Sequence, residues 1–109
     1  MAYNELLTQR IREILNNTTG ITEKKMFGGV GFMLLRNMVC GVNQDDLIVR
    51  VGPDKHAEAL SRPHTRVLDI TGKPMSGWIR VSAEGYTSDE ELKGWVRLGL
   101  DYGRSLPPK

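Results

Sequence analysis

Apolar residues at the start of the chain recur three and four positions apart, at Tyr3, Leu6, Leu7, Ile11, Ile14 and Leu15, the spacing of one helical face. They predict a helix from Ala2 to Asn16 with its stripe on a core. Its end falls in "NNTTG", where Asn, Thr and Gly compete with or break helical hydrogen bonding. The period then shortens. The runs "KKMF", "GFMLLR", "MVCGV" and "LIVRV" are separated only by "GGV", "RN" and "NQDD", connections too short for a parallel crossover, so neighbouring runs pair as antiparallel hairpins.

In "KKMFGGVGFML", Gly28, Gly29 and Gly31 stand beside Lys24 and Lys25 and raise the question of a phosphate-binding loop. Such a loop feeds directly into a helix and spaces its glycines as G-x-G-x-x-G or ends in Gly-Lys-Ser/Thr. Here apolar strand-forming residues follow instead. The three glycines are therefore structural: they make the first hairpin turn, supplying positive φ and close backbone approach, with a bulge at Gly31.

Beyond "LIVRV", Gly52 precedes Pro53, a residue suited to the first helical position, and Asp54 follows in the first turn, predicting a short helix from Pro53 to about Leu60 that Pro63 closes off. Two more strands, "RVLDI" and "GWIRVS", are linked by the turn "TGKPMS". The last helix begins at Ser88, with Glu91 completing a capping box and Asp89 and Glu90 in the first turn, and runs to about Arg104. Leu92, Trp95, Val96, Leu100 and Tyr102 give it an apolar side, on which Gly99 and Gly103, four apart, admit another backbone. Residues 1–105 read as one domain and 106–109 as a flexible tail. The order α-β-β-β-β-α-β-β-α predicts a two-layer α+β domain, an antiparallel sheet with helices on one face.

Composition changes this picture little. The 109 residues carry 39% hydrophobic and 26% charged side chains, ordinary values for a folded domain. The 15 Lys and Arg against 13 Asp and Glu leave a formal charge of +2, and the charges are evenly mixed along the chain. No basic run of the kind that drives nucleic-acid binding by counterion release is visible. The single cysteine, Cys40, excludes an internal disulfide and fits a reducing compartment. No apolar run reaches the roughly 18 residues of a membrane span, and the N-terminus has no leader pattern, so the expected location is the cytoplasm.

Candidate chemistry is sparse. His56 and His64 lie eight residues apart without a third ligand nearby, so neither a metal nor a catalytic site is expected, and no cofactor. Cys40, inside an apolar strand, reads as a small buried hydrophobe. Asp45 and Asp46 are turn neighbours that point in different directions.

The sheet's second face is more informative. Alternation in "LIVRV" and "GWIRVS" places Leu47, Val49, Val51, Ile79 and Val81 toward the helices and Ile48, Arg50, Trp78 and Arg80 away from them. In "GFMLLR" both faces are apolar, adding Met33 and Leu35. The predicted interaction surface is Met33, Leu35, Ile48, Arg50, Trp78 and Arg80, because Met, aromatic and Arg residues are enriched at interface cores.

The runs "KKMFGGVGFML", "MVCGV", "DLIVRVGP" and "GKPMSGWIRV", in this order and spacing, resemble the N-terminal domain of the competence regulator TfoX (Sxy). The resemblance spans the chain from its first helix to its last. It implies a two-layer α+β fold related to secretion-chaperone-like domains and, for two-domain members, regulation of competence genes. Those members continue into a helical C-terminal domain where this sequence has "SLPPK", so a stand-alone domain is expected and the fold is what carries over. The expected function is a non-enzymatic regulatory or protein-interaction module whose partner is a second copy of the chain or another protein. The competing expectation is nucleic-acid binding in transcription regulation, through Lys24, Lys25, Arg50 and Arg80 interleaved with aromatic residues.

Overall fold

The computed structural model describes residues 3–26, 28–69 and 75–107. The helix α1 spans Glu5–Leu15 and is capped by Asn4, whose side-chain oxygen accepts from the Leu7 amide at 2.9 Å. It buries Leu7, Ile11 and Leu15. Leu6, counted in the expected stripe, is 72% exposed. At 100° per residue it lies one step off the Leu7–Ile11–Leu15 line, and Thr8, on the other side of that line, is buried instead. Thr8 meets the cost of burying a hydroxyl by donating to the Asn4 carbonyl at 2.9 Å.

Four strands follow in an antiparallel meander: β1 (Ile21–Met26), β2 (Gly29–Leu34), β3 (Asn37–Asn43) and β4 (Asp46–Arg50). Gly28, at φ 74°, makes the first turn as expected. Gly29 and Gly31 belong to β2 rather than to the turn. The need at Gly29 is closeness, since a Cβ there would stand 2.0 Å from the Val42 carbonyl oxygen.

The next turn falls on Leu35 and Arg36, at φ 50° and 72°. It is a tight two-residue connection built without the Gly or Asn that usually fills it, one position before the expected "RN". The bulge also lies elsewhere than Gly31. Phe32 pairs with Cys40 and Met33 with Met38, so Val39 is the extra residue. The displaced Val39 and its neighbour Cys40 both enter the core.

A 3₁₀ turn at Pro53–Lys55 leads into α2 (His56–Leu60), which buries Ala59. Next come β5 (Thr65–Val67) and β6 (Trp78–Val81), then a second 3₁₀ turn at Ala83–Gly85. The strand expected over 66–70 thus begins and ends earlier. Of that run Ile70, and of the linker after it residues 71–74, lie outside the described residues. Finally α3 (Asp89–Arg104) opens with Ser88 and Glu91 in a complete capping box. Past its end the Pro107 carbonyl accepts from the Asn37 side-chain amide at 2.9 Å.

The six strands form one sheet in the order β1-β2-β3-β4-β6-β5, antiparallel throughout, with β1 and β5 at its edges. A single cluster joins Leu7 and Ile11 of α1, Ala59 of α2 and Leu92, Trp95, Val96 and Leu100 of α3 to alternate residues of the central strands, among them Val30, Phe32, Leu47, Val49, Ile79 and Val81. The helices therefore cover one face of the sheet, the two-layer α+β arrangement the pattern predicts. Helix and sheet approach closely at the bulge: a Cβ on Gly99 would stand 2.3 Å from the Val39 carbonyl oxygen, and one on Gly103 would stand 2.4 Å from a Val39 methyl. Gly99 admits the bulged backbone, as the spacing predicts, and Gly103 admits the Val39 side chain.

Candidate functional site: the helix-free face of the sheet

Alternation sends Gly31, Gly41, Ile48, Arg80 and Arg66 to the face away from the helices, in one row of paired positions across β2, β3, β4, β6 and β5. A second row pairs Arg50 with Trp78, and Met33 faces Met38 across the β2–β3 ladder. The two glycines leave the middle of β2 and β3 without side chains. Met38 leans into that space, its methyl within 2.8 Å of where a Gly41 Cβ would be.

Of the six side chains expected on this surface, Met33, Arg50, Trp78 and Arg80 are half-buried. Ile48 is 2% exposed yet stands apart from the helix-side core cluster, as does the buried Leu68. Leu35 is not on the face of a strand: it occupies the β2–β3 turn, 51% exposed, with its backbone amide donating to Gly20. Here the alternation count failed because the strand ends at Leu34.

The three outward arginines have different surroundings. Arg80 donates through Nε to Asp46 at 2.6 Å and through Nη2 to the Asn43 side chain at 2.5 Å, and Arg66 reaches the same Asp46 oxygen at 2.9 Å. Arg80 and Asp46 are each about five-sixths buried at the side chain, so this charge ties the strand ends together. Among the described residues Arg50 has no such carboxylate. Its guanidinium lies 5.3 Å from the centroid of the Trp78 ring and 5.3 Å from that of the Tyr102 ring, a cation–π arrangement with both.

Tyr102 reaches Arg50 because Gly52 is bare. A Cβ there would stand 2.4 Å from the tyrosine ring, and Gly52 takes φ 87°, a conformation open to glycine. The Gly77 carbonyl accepts from both the Val51 and the Gly52 amides, at 2.8 and 3.0 Å, fixing the end of β4 beside the start of β6. Sequence reasoning placed Tyr102 on the apolar side of α3 and did not connect it with Arg50. The available signal was Gly52 directly after a strand, which marks a close approach without naming the group that approaches.

A cavity of about 210 Å³ adjoins this cluster, lined by Val51, Leu98 and Tyr102 with Asp54, Lys55 and Asp101 among its polar members. The other chemistry-bearing residues stay apart. Cys40 is fully buried in β3, and burial pushes its thiol pKa up to about 12. The Nε2 atom of His56 is buried without a hydrogen-bond partner, while His64 is exposed at φ 68°. Asp45 and Asp46 diverge: Asp45 accepts from the Asn4 side chain and, through its carbonyl, from the Tyr86 hydroxyl, whereas Asp46 holds the arginines. Among the described residues no three of His, Cys, Asp and Glu gather as a metal site, and no described helix is long and apolar enough to cross a membrane.

These features define a small α+β domain built on an open antiparallel sheet, helices on one face and a Met, Trp and Arg group on the other. The profile of the TfoX N-terminal domain matches residues 13–102 of the 109-residue chain, and the protein belongs to that family. A comparison with individually curated proteins finds no match.

Proposed function

We propose that the protein is a non-enzymatic regulatory module that acts by binding a protein partner through the helix-free face of its sheet. The observation that carries this reading is the half-buried group of Met33, Met38, Arg50 and Trp78 on the one face that the helices leave uncovered. Met and aromatic side chains with Arg are the residue types that dominate interface cores. The buried, high-pKa thiol of Cys40 supports a role other than nucleophilic catalysis, which needs an accessible thiolate. The nucleic-acid reading loses ground at Arg80, whose charge is held by Asp46 and Asn43, since a phosphate contact draws on a cation that is free to meet it.

Light scattering on the purified chain, paired with fluorescence anisotropy of labelled single- and double-stranded DNA at two salt concentrations, tests the proposal. A second copy is the partner this experiment sees directly: a dimer mass in the wild type that falls to the monomer mass in Trp78→Ala is the expected result. DNA binding that weakens steeply with salt reports several phosphate contacts and would replace the interaction reading with the nucleic-acid one. A mass and a partner-binding behaviour that Trp78→Ala leaves unchanged would remove the face from the proposal.

A further inference from the structure

A groove of about 350 Å³ lies between the end of α1 and α3, in the helix layer and away from the open face of the sheet. Its floor is apolar: Ile14 of α1 with Val96 and Leu100 of α3, all within or packed against the core. Its α3 side is cationic, with Lys93, Arg97 and Arg104 against the single carboxylate of Asp101. Steps of four and seven residues keep the three cations on one flank of the helix. At 1.5 Å per residue, Arg97 lies about 6 Å along the axis from Lys93, and Arg104 about 10 Å beyond it.

Little within the molecule neutralises these charges. Arg10, Arg12, Arg66 and Arg80 each have a carboxylate partner. Among the described residues Lys93 and Arg97 have none within ion-pair distance, and both are exposed. Arg104 meets Asp101 only at 3.8 Å, with both side chains more than half exposed, a pairing that contributes little. Charges evenly mixed along the chain are thus sorted by the fold into a local excess of cations beside an apolar floor.

We infer that the α1–α3 groove is a second docking surface, and that its occupant is an acidic segment of a partner protein carrying apolar side chains beside its carboxylates. Charge complementarity selects the sign: three cations face one carboxylate, and an anionic partner both steers to the groove and meets unpaired donors there. The guanidinium of Arg97 offers paired N–H donors that match a carboxylate with two parallel hydrogen bonds. The floor selects a protein segment over a nucleic acid. Ile14, Val96 and Leu100 offer contact to an aliphatic side chain, which a phosphate backbone lacks, and no aromatic ring lines the groove for a base to stack on. The groove uses none of the residues of the helix-free face, so the two surfaces are independent.

The test titrates the full chain with the peptide acetyl-Glu-Glu-Leu-Leu-Glu-Glu-amide and follows ¹H–¹⁵N NMR signals. The backbone amides of Thr18, Lys93 and Arg97 report on the groove, and the indole N–H of Trp78 reports on the helix-free face. The expected result is saturable shifts of the groove amides, at a Kd on the order of millimolar for so short a probe, with the Trp78 signal unmoved. Replacing every Glu of the peptide by Gln should abolish binding, and replacing both Leu by Ser should weaken it at least about fivefold. Lys93→Gln and Arg97→Gln, both at exposed positions, should each weaken binding about two- to fivefold, the range of an exposed ion pair. Arg66→Gln, the same loss of charge on the edge strand β5, should leave it unchanged. Several results would overturn the assignment: no saturable shift of the groove amides, equal binding of the Gln or the Ser peptide, or an equal loss in Arg66→Gln. A short oligothymidylate that binds the groove as tightly as the peptide would give the site to nucleic acid instead. A peptide that shifts Trp78 and not the groove amides would end this inference while supporting the helix-free face.

Discussion

Three glycines of α3 have different consequences for the same substitution. Gly99 and Gly103 lie under the Val39 bulge, where an added Cβ would meet a carbonyl oxygen at 2.3 Å and a methyl at 2.4 Å respectively. Gly94 is exposed in the middle of the helix, and a Cβ built on it meets nothing within 4 Å. Glycine in an open helix interior costs about 1 kcal/mol relative to alanine through backbone entropy. Gly94→Ala should therefore raise stability by about 1 kcal/mol and the melting temperature by about 5 °C. Gly99→Ala should instead lower stability by about 1–3 kcal/mol, the cost of forcing extra volume into a packed contact. Thermal melts of the two variants beside the wild type check both signs at once. A loss in Gly94→Ala would mean that the helix face at this position is packed against something in solution.

At the scale of elements, the parts that local chemistry decides were legible in the sequence and the parts that distant packing decides were not. The capping box at Ser88, the short helix after Pro53 and the antiparallel meander follow from signals within a few residues. The turn at Leu35–Arg36 carries no turn residue, so its chain reversal is imposed by the pairing of β2 with β3 and by the Leu35 amide bonding to Gly20. The bulge is misread for a similar reason. Gly31 offers the local signal, but the displaced residue is Val39, under the two glycines of α3, more than fifty positions away. On the candidate face, alternation located Arg50 and Trp78, and the contact of Arg50 with Tyr102 of α3 needed the tertiary fold. The cap itself gives a pH prediction. Glu91 accepts from the Ser88 amide and hydroxyl and from the Thr87 hydroxyl, at 3.0–3.1 Å, and these bonds hold its carboxyl below the usual glutamate value. A depressed folded-state pKa contributes stability above the unfolded-state value, and that contribution is lost as pH falls through the folded one. Ser88→Ala should cost about 1 kcal/mol at neutral pH and less under acid conditions, where Glu91 is protonated in both proteins. Denaturant melts at neutral pH and at a pH below the glutamate range measure the difference. A cost independent of pH would assign the cap's whole effect to the Ser88 hydroxyl on the Glu91 amide.

For the whole molecule, Cys40 reports how cooperatively the sheet opens. It stands in β3, between β2 and β4, with no exposure and a thiol pKa pushed up to about 12 by burial alone. Only a thiolate reacts quickly with alkylating or disulfide reagents, so native Cys40 should be inert and labelling should wait on an opening that exposes the sheet's centre. Because that centre joins all three helices through one core, the required opening should be global unfolding. The logarithm of the labelling rate should then rise with denaturant at the slope of the equilibrium unfolding curve. A labelling rate flat in denaturant would show that β3 is reached by a local fluctuation, and that the sheet does not open as one unit. The same burial sets an alkaline limit. A thiol whose folded pKa is raised contributes fully below the unfolded value of about 8.5, and its contribution disappears as pH climbs toward the folded value, at about 1.4 kcal/mol per pH unit for one proton. Tyr86, also raised by burial and by Asp45 and Asp46, adds a loss of the same sign at higher pH, so the comparison is made against Cys40→Ala. That variant should be less stable than wild type at pH 7, because it leaves a cavity, and the gap should narrow between pH 9 and 11 as the wild type alone meets the cost of keeping its thiol protonated. A gap that stays constant across this range would mean that Cys40 ionises within the folded sheet, which requires water at the centre of β3.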